Sequence, residues 1–323
     1  MKRRATLTAI GSSLLLPGRL VPAQAPRSAR IGIVEYGAAP DSPAVRIYLE
    51  GLRSHGYREG GNLFVERRYA QTRASEFAGL LRDLAAQKVD VVFAAGHDIA
   101  KVAKEVISGM PVVTTGSEDP VASGLIRSFN RPGGSVTGVS FMSPELAPKR
   151  LELLKETIPG LVHVGVLWEP AHADVYYQEF GKVAAGIGIR LRLATLREIA
   201  DIDGAFAELR GAAVQALFVV PSRLTNFASR RIADLALMAN LPAMSAYASF
   251  AEAGGLMSYG AATRDSVLRA AALTAQIVAG AKPGDLPFEL PHRFEMVVNL
   301  KTAKALGVTV PQTVLLRADR VIE

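Results

Sequence analysis

Short apolar runs and amphipathic stretches alternate along the chain. Ile31-Gly32-Ile33-Val34 is an unbroken apolar run, long enough only for a buried strand. Ser42-Pro43 then supplies an N-cap and a first-turn proline, and Val45, Tyr48, Leu49 and Leu52 follow at helical spacing until Gly56 closes the helix. Leu63 to Tyr69 alternates as a strand does, and Phe77, Leu80, Leu81, Leu84 and Ala85 mark a second helix face. Val89 to Ala95, Ile99 to Ile107 and Pro111 to Thr114 read as strand, helix and strand. The order β-α-β-α-β-α-β predicts a parallel sheet covered by helices on both sides.

The pattern then restarts. Helices are expected over 146–158, 176–185, 202–209 and 227–239, and strands over 163–167, 189–194, 216–220 and 243–246. Val89 to Ala95 and Val214 to Val220 share one strand pattern, each followed by a polar turn, a helix and a strand introduced by proline (Pro111, Pro242). The expected fold class is α/β, with two Rossmann-like lobes of parallel sheet flanked by helices. After Ser249 a short strand at 256–260, a long helix over 267–280, a strand over 294–299 and a helix over 300–306 follow, and periodicity alone assigns them to neither lobe.

Length agrees with two lobes, since 323 residues exceed one small core. The formal charge of +7 suggests nucleic acid until it is located. Lys2, Arg3 and Arg4 precede an apolar stretch from Ala5 to Leu16 and the small-x-small triplet Ala23-Gln24-Ala25. This order reads as a secretory signal peptide over residues 1–25, cleaved after Ala25. Its removal takes Lys2, Arg3, Arg4 and Arg19 but no acid, and leaves +3 without a basic run, which is no nucleic-acid footprint. The absence of cysteine excludes disulfides, thiolate metal sites and a lipid-anchored N-terminal cysteine. No phosphate loop, G-x-G-x-x-G after a strand, G-x-S-x-G elbow or H-E-x-x-H occurs, and the five histidines lack metal-ligand spacing. No catalytic residue, metal or cofactor is expected.

In open α/β sheets, ligands bind beyond the carboxyl ends of the strands. Those loops carry Tyr36; Gly96, His97 and Asp98; and Ser117, Glu118 and Asp119 in the first lobe. The helix start at Gly96-His97 suits a carboxylate, with an Asp98 N-cap competing for the same donors. Ser117 suits a carboxylate, and Glu118 or Asp119 an ammonium, with Asp119 alternatively capping a turn. The corresponding loops of the second lobe give Trp168-Glu169-Pro170, Pro221-Ser222-Arg223 and Tyr247, with Trp168, Ser222 and Tyr247 singled out and Ser140 and Tyr259 added as candidates. Trp168 and the tyrosines are equally readable as walls of a site or as packing.

Five stretches resemble one family: Asp119-Pro120-Val121 with Gly124-Leu125-Ile126; Arg131-Pro132-Gly133-Gly134-Ser135-Val136-Thr137-Gly138; Phe250 with Ala253 to Gly260; Gly280 to Pro287; and Phe294 to Gly307. The chain is similar in these to ABC transporter substrate-binding proteins of the type I periplasmic binding protein fold, notably members associated with tryptophan and other aromatic amino acids. The resemblance implies three hinge crossings, near 138–140, 247–250 and 287–293. It implies a first lobe of 30–138 plus 250–288 and a second of 139–249 plus 289–323, with the ligand cleft between. It implies a periplasmic, monomeric solute-binding protein that closes on a small ligand, an amino acid or aromatic carboxylate, and delivers it to an ABC permease and its ATPase. Nucleic acid and stable membrane insertion are not expected. A sensory protein that presents the same ligand to a membrane receptor, and an exported α/β enzyme, are the alternatives. Two departures from the family pattern, His97-Asp98 and Trp168-Glu169-Pro170, fall on cleft loops.

Overall fold

The computed structural model describes residues 28–37, 42–170 and 174–323, and of residues 174–179 the backbone alone. The expected signal peptide, residues 1–25, lies outside the described residues.

The first lobe is built on five parallel strands: β1 (Ala29–Glu35), β2 (Leu63–Tyr69), β3 (Val91–Ala94), β4 (Val112–Gly116) and β5 (Val136–Ser140), in spatial order β2-β1-β3-β4-β5. Helices α1 (Pro43–Ser54), α2 (Phe77–Ala86) and α3 (His97–Val106) connect them. Ser42 is the N-cap of α1 as expected, its hydroxyl accepting from Val45 N, and Pro43 occupies the first turn. β1 and β3 are buried along almost their whole length because helices cover both faces, whereas β2, at the edge, is half-exposed and accommodates Glu66, Arg67 and Arg68.

Helix α4 (Ala147–Thr157) opens the second lobe. β6 (His163–Trp168), α5 (Asp174–Gly186), β7 (Arg190–Thr195), α6 (Asp201–Gly211), β8 (Ala216–Val219), α7 (Arg223–Phe227), α8 (Ser229–Met238), β9 (Ala243–Ser245), α9 (Ala248–Glu252) and β10 (Met257–Ala261) follow. The long helix α10 (Thr263–Val278) precedes β11 (Phe294–Asn299), α11 (Leu300–Ala305), α12 (Gln312–Leu315) and β12 (Arg320–Ile322). The second sheet has the order β12-β11-β10-β9-β8-β6-β7. Each sheet separates two apolar clusters, one per face, so the molecule is two three-layer sandwiches.

The sheet moves one expected boundary. The sequence places the second crossing at 247–250 and gives 250–288 to the first lobe. Instead β10 pairs with β9 and β11 inside the second sheet, and α9 packs against these strands. The physical cause lies in Leu256 and Met257, both wholly buried, which need the second-lobe core. The backbone enters that sheet when Leu256 N donates to Ala243 O. The chain therefore crosses after Ala261, and α10 then lies on α1 and on the first sheet. Tyr48 of α1 stacks on Phe93 of β3 at 4.0 Å, and its hydroxyl meets Thr274 of α10 at 2.7 Å, locking the returning helix in place.

The second sheet is also not wholly parallel. β11 runs antiparallel to β10, with Phe294 opposite Ala261. The chain leaves the second lobe from the end of β10 and re-enters at that same end, so the returning strand must run backwards. Before re-entry Glu289 borders β5, donating to Gly138 O and accepting from Ser140 N. Arg150 of α4 ties two crossings together. It is fully buried and donates to Tyr259 O (2.6 Å), Ser143 O (3.0 Å) and Ser143 Oγ (3.1 Å).

Candidate functional site

The loops beyond the carboxyl ends of β1, β3 and β4 meet those beyond β6, β8 and β9, and polar and aromatic side chains join them. Ser117 Oγ, after β4, donates to Pro221 O, after β8, at 3.1 Å. Tyr36, after β1, meets Phe227 of α7 edge-on with ring centres 5.7 Å apart. Gly37 lies against that same ring: a Cβ there would stand 2.7 Å from it, at a positive φ of 110° that glycine adopts without strain. Phe141, in the first crossing, packs edge-on against Tyr247, after β9, at 5.9 Å. The two lobes are closed on one another.

Arg223 is the centre of the contact. It is the first residue of α7, presented by Ser222, whose hydroxyl accepts from Thr225 N while Thr225 Oγ1 accepts from Ser222 N. This reciprocal cap fixes the helix start and so the direction of the next side chain. The Arg223 guanidinium reaches across to ion-pair with Asp98 of α3. It also lies 3.7 Å from Glu169 Oε1, 4.5 Å from the Tyr36 ring centre and 5.1 Å from that of Phe77. Its side chain is 13% exposed, so these charges act at reduced dielectric. Burial pushes the Tyr36 hydroxyl above its ordinary range; Arg223 opposes the shift, while Glu169 and Asp98 reinforce it.

The expected residues divide. Gly96 is the N-cap of α3 and, having no side chain, makes no cap of its own, so the positive end of the helix dipole faces the cleft loops. Asp98 does not cap it; its carboxylate serves Arg223. Tyr36, Gly96, Asp98, Ser117, Glu118 and Tyr247 belong to one neighbourhood. Glu118 is buried, 3.6 Å from Lys101, and burial raises its carboxyl above the ordinary range against the pull of that lysine. Burial likewise raises the Tyr247 hydroxyl, opposed by its hydrogen bond with Ser117.

The other candidates have structural placements. His97 is buried, its Nδ1 3.0 Å from Glu118 O and its ring edge-on to Phe288. A Cβ on Gly116 would overlap the imidazole, so the ring occupies the space that glycine leaves. Asp119 Oδ1 accepts from Val121 N (2.8 Å) and Ala122 N (3.1 Å), the turn-capping role rather than the amine-binding one. Ser140 Oγ accepts from Met142 N and shapes the first crossing. Trp168 is buried in the core cluster with Val164, Val166, Phe180 and Phe218, so it is packing beneath the cleft loops. Ser222 is the helix cap already described. Tyr259 holds Arg150 through its carbonyl and packs its ring toward Phe294.

Sequence reading put Glu169 and Arg223 on the cleft loops without assigning either a role, and did not single out Phe141 or Phe227. A single arginine or phenylalanine after a strand carries no motif, and its partners come from the opposite lobe. Among the described residues no cluster of histidine, aspartate and glutamate is arranged to hold a metal ion, and no helix is long and apolar enough to cross a membrane.

The sequence profile described as ABC transporter substrate binding protein matches residues 42–322. A tyrosine-binding protein of Clostridioides difficile is 24% identical over 285 residues, covering 86% of this chain and 81% of that protein. A conserved domain protein of Vibrio cholerae superposes with a TM-score of 0.84 at 26% identity, covering 91% of this chain and all of the other. The ABC domain of a Streptococcus pneumoniae protein, solved with L-Trp, superposes with a TM-score of 0.82 at 23% identity over the same shares.

Proposed function

The chain belongs to the ABC transporter substrate-binding protein family, and from that premise we propose that it is the periplasmic solute receptor of an ABC uptake system, with an amino acid, preferably aromatic, held between its lobes. The observation that carries this reading is the meeting of an uncapped helix start with aromatic rings from both lobes. The first turn of α3 turns the positive end of a helix dipole toward a carboxylate. Tyr36, Phe141, Tyr247 and Phe227 offer ring edges and faces beside it. The tyrosine-binding and L-Trp-bound relatives support the same ligand class. The leader-like start of the chain supports export, and two lobes that meet across their loops and are joined by three crossings support a hinged receptor of the kind that delivers a ligand to a permease and its ATPase. Binding, not catalysis, is the role of every cleft group named above.

A thermal-shift screen of amino acids, aromatic acids and sugars tests it. L-Tyrosine or L-tryptophan is expected to raise the melting temperature, a ligand at 100 times its Kd adding about 2.7 kcal/mol. A shift given by a sugar and by no amino acid would end the amino-acid reading.

A further inference from the structure

Glu169 closes β6 immediately after Trp168 and is 94% buried, being 6% exposed. Such a carboxylate is normally surrounded by donors. Here Oε1 has only the Arg223 guanidinium at 3.7 Å, too long for a hydrogen bond, and Oε2 has no partner among the described residues. Arg223 is shared, because Asp98 holds it from the other lobe. Among the described residues two carboxylates thus face one guanidinium, and these three groups carry one negative charge in excess. The neighbouring pair of Glu118 and Lys101 is already balanced. Tyr36 covers the cluster from the first lobe.

We infer that Glu169 is the acceptor for a cationic amine on the ligand, and that it selects amine-bearing ligands over their deaminated analogues. The inference rests on the reading of the cleft as the ligand site and names which end of the ligand lies where. Arg223 touches both Asp98, in the first turn of α3, and the Glu169 carboxylate, so the helix start and the unpartnered oxygen lie within one guanidinium of each other. That proximity suits two opposite charges on neighbouring atoms, as in an α-amino acid. Opening of the lobes gives access, and closure buries the ammonium against Glu169, turning an unmatched buried charge into a charge-assisted hydrogen bond. Of the acids that sequence reading favours for this task, Glu118 has its charge matched one-to-one by Lys101 at 3.6 Å, and the Asp119 carboxylate is engaged by the 121–122 turn.

The test compares L-tyrosine, tyramine and 3-(4-hydroxyphenyl)propionate by calorimetric titration of the mature protein and of Glu169→Gln and Glu169→Asp. The wild type should bind L-tyrosine at least tenfold more tightly than the propionate. Glu169→Gln should lose at least tenfold for L-tyrosine and tyramine and nothing for the propionate, while Glu169→Asp keeps the preference. In the absence of ligand, Glu169→Gln should melt at a higher temperature than the wild type, since the unmatched charge is gone. Unchanged L-tyrosine affinity in Glu169→Gln, or equal loss for all three compounds, overturns the assignment. If the wild type binds none of the three, the aromatic reading fails by itself. The amine assignment then stands if lysine or putrescine raises the melting temperature of the wild type and not of Glu169→Gln, and falls if neither does.

Discussion

At the residue scale, the cleft is a set of buried charges whose partners are close but not all complete. Glu118 shows the consequence for pH. Burial raises its carboxyl above the ordinary range, so the folded protein holds that proton more tightly than the unfolded chain does. The stability it contributes is present below the ordinary carboxylate pKa and declines as pH climbs toward the raised value. Glu118→Gln removes that decline. Its melting temperature should gain on the wild type as pH rises from the ordinary carboxylate range toward neutral. A constant difference across that range in thermal unfolding would contradict the assignment. Sequence placed Glu118 on the correct loop, since a strand followed by a polar turn is a local pattern. Whether its carboxylate faces a ligand or Lys101 depends on α3, which lies beside β4 in space, and no local pattern carries that.

At the element scale, the helices and strands of both lobes were largely legible, because their cores read as apolar runs and helical stripes. Ser42-Pro43 announced α1, and Leu63 to Tyr69 announced β2. What escaped was the short second-lobe helix α7. Its five residues lack a full amphipathic repeat, and the expected helix over 227–239 covers α8 and only the last residue of α7. Yet α7 presents Arg223, and its reciprocal cap holds that arginine in place. Ser222→Ala should lose about 1 kcal/mol of unfolding free energy in urea titration, the usual value of an N-cap. It should also weaken ligand binding, because the start of α7 is no longer fixed; unchanged binding would show that Arg223 is positioned without it. The position of β10 escaped for a different reason. Leu256 and Met257 read as a strand in either lobe, and only pairing with β9 and β11 decides between them.

At the scale of the whole molecule, two three-layer lobes meet through Ser117 and Pro221, Tyr36 and Phe227, Asp98 and Arg223. The doubled α/β pattern reads as two lobes, and the rule that ligands bind beyond the carboxyl ends of the strands points to the loops that meet between them. The identity of the groups that touch across the cleft was not legible, since it depends on the relative orientation of segments more than a hundred residues apart. The central claim is that this cleft holds an aromatic amino acid. Trp168 is the only tryptophan in the chain and precedes Glu169 directly, so its emission reports on the cleft floor. Titration of L-tyrosine, with excitation where tyrosine does not absorb, should give a saturable change in Trp168 emission, with one site per chain and the same affinity that calorimetry finds. Flat emission through millimolar L-tyrosine, with a sugar producing the saturable change instead, would contradict the account.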